Sequence, residues 1–211
     1  MAELKKYLIA VPCMSNMLTP FVSSLVRMQR VGASKVSFVS NSLVFDARNM
    51  LAAEALDDEV DRVLWLDSDM GFSIDLMQRL ADDLDGGLDC VCGIYVKRKF
   101  PTGPCIYDKV VRDDTHPNGI ARVYSDYPKD QLFEIAGCGF GAVMMNAKML
   151  KDVYDTYGQP FNPIPNGLSE DLAFCWRAGQ LGYKLHCDSR IKVDHIGLFP
   201  YREDHYLTQK R

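Results

Sequence analysis

The sequence predicts an α/β fold, a mostly parallel β-sheet flanked by helices, on three observations. Short apolar runs alternate with segments whose apolar residues recur at helical spacing. Three such strand-then-helix units fit within residues 1–93, as parallel strands joined by right-handed crossovers require. The run VLWL at 63–66 is apolar at every position, which suits a central strand covered on both faces.

Residues 7–11 form the first apolar run, ended by Pro12, and read as a buried strand. Thr19 is placed to cap the next helix with Pro20 at its first position, so that Phe21, Val22, Leu25 and Met28 share one face. A strand over 35–39 leads to a helix over 44–56 that buries Leu51, Ala52 and Ala55. Arg48 precedes those positions by three, four and seven residues and shares their face. An arginine facing the core needs a partner. Beyond VLWL, Ser73 is expected to cap a helix carrying Ile74, Met77, Leu80, Ala81 and Leu84 on its apolar side, stopped by Gly86 and Gly87. Residues 89–93 make a fourth strand.

The pattern then changes. Residues 94–131 carry Pro101, Pro104, Pro117 and Pro128 among charges, with short strands expected only near Ile106 and Val123, so this stretch reads as a long excursion or lid. Residues 132–145 return to strand character, broken by Gly137, Gly139 and Gly141. Asn146 is placed to cap a helix through Tyr154, and a loop over 158–167 precedes a helix over 169–181 closed by Gly182. Strands over 183–187 and 191–195 complete a single domain spanning 1–211.

Composition excludes several classes. Of 211 residues, 47% are hydrophobic and 25% charged, which is ordinary globular usage and argues against disorder, collagen and coiled coil. A net charge of -4 argues against a protein that coats nucleic acid. No apolar stretch approaches the 20 or so residues of a spanning helix. Several of the seven cysteines fall in apolar runs, which suits buried free thiols in a reducing, cytoplasmic setting better than a disulfide framework. Cys90 and Cys92 share a strand face without a second ligand pair, and read as packed thiols rather than a zinc site.

The candidate chemistry lies at the ends of elements. Asp67 and Asp69 flank Ser68 just past the carboxyl end of the VLWL strand, where open α/β sheets place their ligand crevice. Two carboxylates so close repel unless a cation joins them, and a hard ion such as Mn²⁺ or Mg²⁺, which also bridges diphosphates, fits. A solvated acidic turn is the plainer alternative. Glu170 and Asp171 open a helix after Ser169, where acids serve the helix dipole or, with function, act as a general base. Ile191, Val193 and His195 share a strand face, which turns the His195 imidazole toward the core side as a structural histidine or a third metal ligand. The glycines at 137, 139 and 141 do not form a dinucleotide fingerprint, and suit close packing or a wall beside a sugar. Lys97, Arg98 and Lys99 are either a solvated loop or a phosphate clamp.

The order of these pieces resembles GT-A nucleotide-sugar glycosyltransferases with a Rossmann-like sheet, in particular family-2-like enzymes and their short phage and bacterial versions. The matching stretches are DARNMLAAEAL (46–56), VLWLDSDMGF (63–72), CGIYVKRKFP (92–101), IAGCGFGAVMM (135–145), SEDLAFCWRAGQLGYKL (169–185) and VDHIG (193–197). The resemblance implies a nucleotide-binding half over 1–93, a lid over 94–131, and an acceptor and catalytic half over 132–211. It implies that Asp67 lies near the nucleotide ribose, that Asp69 binds the metal holding the diphosphate, and that His195 is a further metal ligand. Asp171 then looks like the catalytic base of inverting members, with Glu170 beside it. Pro12, Arg48, Ser68 and Lys97 are implied at the nucleotide sugar, and Gly137, Cys138 and Gly139 at the wall of the sugar and acceptor site.

The activity implied is metal-dependent transfer of a hexosyl or pentosyl group, with inversion, from a UDP- or GDP-sugar to an acceptor hydroxyl on a glycan, a lipid-linked sugar, a protein or a modified DNA base. Homo-oligomer formation is left open. A haloacid-dehalogenase phosphatase is disfavoured because Met70 and Gly71 follow Asp69. A nucleotidyltransferase of the same fold would need glycines and a basic residue in the loop PCMSNM after residue 11. A sugar-nucleotide binder without turnover remains the main alternative.

Overall fold

The computed structural model describes residues 4–112, 120–165, 167–197 and 200–209. Expectations for Pro117 therefore lie outside the described residues. The elements are β1 (Lys6–Cys13), α1 (Thr19–Arg27), β2 (Ala33–Ser40), α2 (Val44–Asp57), β3 (Arg62–Leu66), β4 (Met70–Gly71), α3 (Leu76–Asp85), β5 (Cys90–Ile94), β6 (Ile106–Val111), β7 (Ile120–Val123), β8 (Leu132–Ile135), β9 (Gly137–Cys138), β10 (Ala142–Asn146), α4 (Ala147–Tyr157), α5 (Glu170–Gln180), β11 (Leu185–Lys192), β12 (Asp194–Ile196), β13 (Pro200–Tyr201) and α6 (Glu203–Thr208).

The fold is mixed α/β. A seven-stranded sheet has the order β2-β1-β3-β10-β5-β11-β8. β2, β1, β3, β5 and β11 run in one direction, while β10, between β3 and β5, and β8 at the edge run against them. The period of two in VLWL divides the core. Val63 and Trp65 face a layer containing Leu51 and Ala52 of α2, Met149 and Leu150 of α4 and Phe174 of α5. Leu64 and Leu66 face Phe21 and Leu25 of α1 and Met77 and Leu80 of α3. Every residue of β3 is buried, Val63 to Leu66 as an unbroken apolar run requires and Arg62 through its pairing with Asp85 at 2.7 Å.

Two three-stranded sheets accompany the large one, ordered β13-β12-β4 and β7-β6-β9. The second accounts for the strands expected near Ile106 and Val123, and it packs the excursion against α5 through Tyr107, Val110, Leu172 and Trp176. Loop residues 161 and 162 are tied to α2 by Asn49, whose Oδ1 accepts from the Phe161 N–H at 2.9 Å and whose amide donates to Asn162 at 2.9 Å.

Local expectations fail mainly at helix starts. The N-cap of α1 is Leu18 rather than Thr19, and Val22 is exposed at the edge of the buried face. α3 begins at Leu76 with Asp75 at its N-cap, so Ser73 contributes only a backbone carbonyl and Ile74 is exposed. Asn146 holds the N-cap of α4, but its side chain bonds Arg62 and the Leu88 carbonyl instead of the helix. The two final strands expected are one long strand, β11, whose register with β5 shifts between Asp188 and Lys192, followed by β12.

Candidate functional site

A cleft of about 260 Å³ opens at the carboxyl ends of β1 and β3. Asp67, Ser68 and Asp69 line it from the turn after β3, Glu170 and Asp171 from the first turn of α5, and Arg48, Tyr95 and Phe140 from its inner wall. The turn is tight. The Met70 N–H returns to the Asp67 carbonyl at 3.2 Å, and the Asp67 N–H donates to the Gly141 carbonyl of the segment leading into β10.

Arg48 organises the acids. It is only 2% exposed, its Nη2 donates to Asp67 Oδ1 at 2.9 Å, its Nε lies 3.7 Å from Glu170, and its guanidinium stands 5.3 Å from the Phe140 ring centre. Burial works against its charge, but Asp67, Glu170 and Asp171 outweigh that and hold it as a cation. The core-facing arginine thus has the partner its position demanded. Its Nη1 and Nε make no hydrogen bond among the described residues.

The acids diverge in proton affinity. Burial pushes the Asp67 carboxyl up from its ordinary value in spite of Arg48, with Asp69 adding repulsion. Burial opposes ionisation of Asp69 as well, yet contact with His195 and the charge of Arg98 outweigh it and hold the carboxyl low. Burial, then the charge of Asp171, raises Glu170. Asp171 Oδ1 accepts from the Leu172 N–H at 2.7 Å and from the Ser169 hydroxyl.

His195 arrives through sheet pairing. β12 pairs antiparallel with β4 so that His195 lies opposite Met70, and the Ile196 N–H donates to the Asp69 carbonyl at 2.8 Å. His195 Nδ1 lies 2.9 Å from the Val96 carbonyl. A carbonyl only accepts, so Nδ1 carries a hydrogen and Nε2 is the nitrogen that faces Asp69 Oδ2, 3.6 Å away. Asp69 Oδ1 is buried with no partner among the described residues. Asp69 and His195 are the side chains here that could hold a hard divalent ion such as Mn²⁺ or Mg²⁺. No group of three His, Cys, Asp or Glu side chains among the described residues is disposed to hold a metal. Two protein ligands with phosphate oxygens and water completing the shell is a usual arrangement for such ions.

The other expected residues fall in distinct places. Pro12, with Cys13 and Met14, lines the cleft floor. Lys97 turns away, its Nζ 5.9 Å from the Tyr107 ring centre. Its neighbour Arg98 meets the site instead, with Nη1 2.9 Å from Asp69 Oδ2. Gly137 and Cys138 form β9, buried against α5, where a Cβ on Gly137 would stand 2.9 Å from Val110 and 3.3 Å from Cys175. Gly139 touches the site: a Cβ there would stand 2.1 Å from the Tyr95 hydroxyl and 3.6 Å from Asp171 Oδ2. Tyr95 and Phe140 are the additions of the structure, and within the basic cluster it is Arg98 that meets the site. Tyr95 accepts from the Gly141 N–H at 3.2 Å and meets His195 edge to face at 5.4 Å. All seven cysteines are free, six of them buried, as expected. Among the described residues no helix is long and apolar enough to cross a membrane.

The chain matches no family model and no curated protein. It is similar to the crystal structure of A197 from STIV, with a TM-score of 0.66 and 20% sequence identity over 92% of this chain and 86% of that one. At this identity the likeness concerns the fold.

Proposed function

We propose that this chain is a metal-dependent glycosyltransferase that moves a sugar, with inversion, from a UDP- or GDP-sugar to an acceptor hydroxyl. The observation that carries the reading is the meeting of two acidic pairs, Asp67 with Asp69 and Glu170 with Asp171, around the buried Arg48 in one cleft. One pair leaves a carboxylate beside a histidine nitrogen, and the other opens a helix above the same cavity.

Asp69 and His195 would hold the cation, which supplies charge to offset the departing diphosphate. Asp67, fixed by Arg48, would accept a hydrogen bond from a donor hydroxyl. Asp171 takes the acceptor's proton as the hydroxyl oxygen bonds to the anomeric carbon and the bond to the diphosphate breaks. Its Oδ1 is tied to Leu172 and Ser169, which fixes the orientation of the carboxylate. Phe140 and Tyr95 exclude water from one wall.

The test is a donor-release assay with Mn²⁺ across a panel of nucleotide sugars, comparing wild type with Asp171→Asn. Wild type releases nucleotide, and the variant binds donor but turns over about 10³-fold more slowly, the scale of a lost general base. Saturable binding by wild type without nucleotide release in any arm assigns a binding protein instead. Retention of anomeric configuration in the product overturns the role of Asp171.

A further inference from the structure

Arg98 is held at the cleft by contacts that a ligand can replace. Its Nη1 is 2.9 Å from Asp69 Oδ2 and donates to the Ile196 carbonyl at 3.2 Å. Its stem passes Gly197, where a Cβ would come within 3.3 Å of Arg98 Cδ, so the glycine leaves room for it. The side chain is 45% exposed, and an ion pair so open to water is cheap to break. The backbone beneath it is fixed. The Lys97 N–H donates to the Gly103 carbonyl at 2.9 Å, Val96 bridges Pro104, and Gln209 accepts from the Thr102 N–H at 2.8 Å. A free head on a fixed base can change partners without moving the chain.

The oxygen that Arg98 covers, Asp69 Oδ2, is also the one facing His195 Nε2. A guanidinium and a divalent ion at one carboxylate oxygen repel each other. We propose that Arg98 is a displaceable counter-ion. It neutralises Asp69 until a divalent cation takes that carboxylate, and its planar fork then turns to the diphosphate, whose oxygens it can bind two at a time. The inference rests on the cation and diphosphate of the proposed function, and names the residue that couples their arrival.

Opposed changes in two affinities test it. Mn²⁺ binding without nucleotide is followed by electron paramagnetic resonance for wild type, Arg98→Ala, Arg98→Gln and Asp69→Asn, and binding of UDP and GDP at saturating Mn²⁺ by calorimetry. Arg98→Ala and Arg98→Gln are expected to bind Mn²⁺ about twofold to fivefold more tightly, the scale of a lost exposed ion pair. They should bind the nucleoside diphosphate about tenfold more weakly, for want of a charge-assisted contact. A merely structural arginine would move both affinities the same way. Unchanged or weaker Mn²⁺ binding in both variants, with Mn²⁺-dependent nucleotide binding intact in wild type, overturns the counter-ion role and leaves the proposed function standing. Wild type binding Mn²⁺ no better than Asp69→Asn overturns the cation itself, and this inference with it.

Discussion

Asp83→Asn should stabilise the protein at neutral pH, although it replaces a charged side chain that is mostly buried. Asp83 of α3 lies beside Asp188 of β11, and Asp188 is already satisfied by Arg190, through its backbone N–H at 2.9 Å and its guanidinium at 2.8 and 3.0 Å. Asp83 has only a 3.6 Å approach to Arg190, and its Oδ2 makes no hydrogen bond among the described residues. Burial, then the charge of Asp188, pushes its carboxyl from 3.8 to about 6, with Arg190 and Arg79 opposing. That rise corresponds to about 3 kcal/mol in a closed site. Asp83 and Asp188 border a shallow surface depression that water enters, so about half of it, ~1.5 kcal/mol, is the expected gain. The sign follows from proton uptake. The folded chain binds this proton more tightly than the unfolded chain, so wild type loses stability as pH rises from about 4 to about 6, and the loss is complete above that. Asparagine carries no such penalty and its amide can donate to Asp188. Urea unfolding of both proteins from pH 4 to pH 8 should therefore show curves that coincide near pH 4 and separate above pH 6, with the variant the more stable. A variant no more stable than wild type at pH 7.5, or a gap of equal size at pH 4, would refute the reasoning.

Two further substitutions probe the cleft wall. Arg48→Met keeps the stem but leaves Asp67 and Glu170 without their shared cation, and should cost about 3–5 kcal/mol of unfolding free energy at neutral pH, measured by urea denaturation. Gly139→Ala sets a methyl carbon on the Tyr95 hydroxyl. It should cost about 1–3 kcal/mol in the same assay, and nucleotide release should fall as Tyr95 is displaced from the cleft wall.

What could be read from the sequence was whatever depends on near neighbours. The burial of β3 on both faces followed from four apolar residues in a row, and the partner of Arg48 was demanded by helical spacing from Leu51, Ala52 and Ala55. The antiparallel entry of β10 between β3 and β5 was not legible, because residues 142–146 are as apolar as a parallel strand would be and only long-range pairing decides their direction. Helix starts were missed at Thr19 and Ser73 because the chain bends one or two residues away from the best capping side chain. In the basic cluster the three residue types are nearly equivalent on paper. The loop between Val96 and Pro104 sends Lys97 toward Tyr107 and Arg98 toward Asp69, a distinction made by the path of the backbone.

The same long-range pairing explains why the two halves of the chain make one site. Four carboxylates line the cleft, while Arg48 between them and Arg98 at the rim supply two positive charges. Asp69 would be a solvated acid at a strand end were it not for β12, which folds back on β4 and brings His195 and the Ile196 backbone against it. Asp171 would be a helix-dipole acid were it not for Gly139, whose missing side chain leaves room for the Tyr95 hydroxyl and the Asp171 carboxylate around it. Motifs that are weak one at a time become specific when distant segments enclose them, because enclosure removes the water that would otherwise satisfy each acid separately. On the proposed function, the remaining excess of negative charge would repel a nucleoside diphosphate alone and admit one accompanied by a divalent cation.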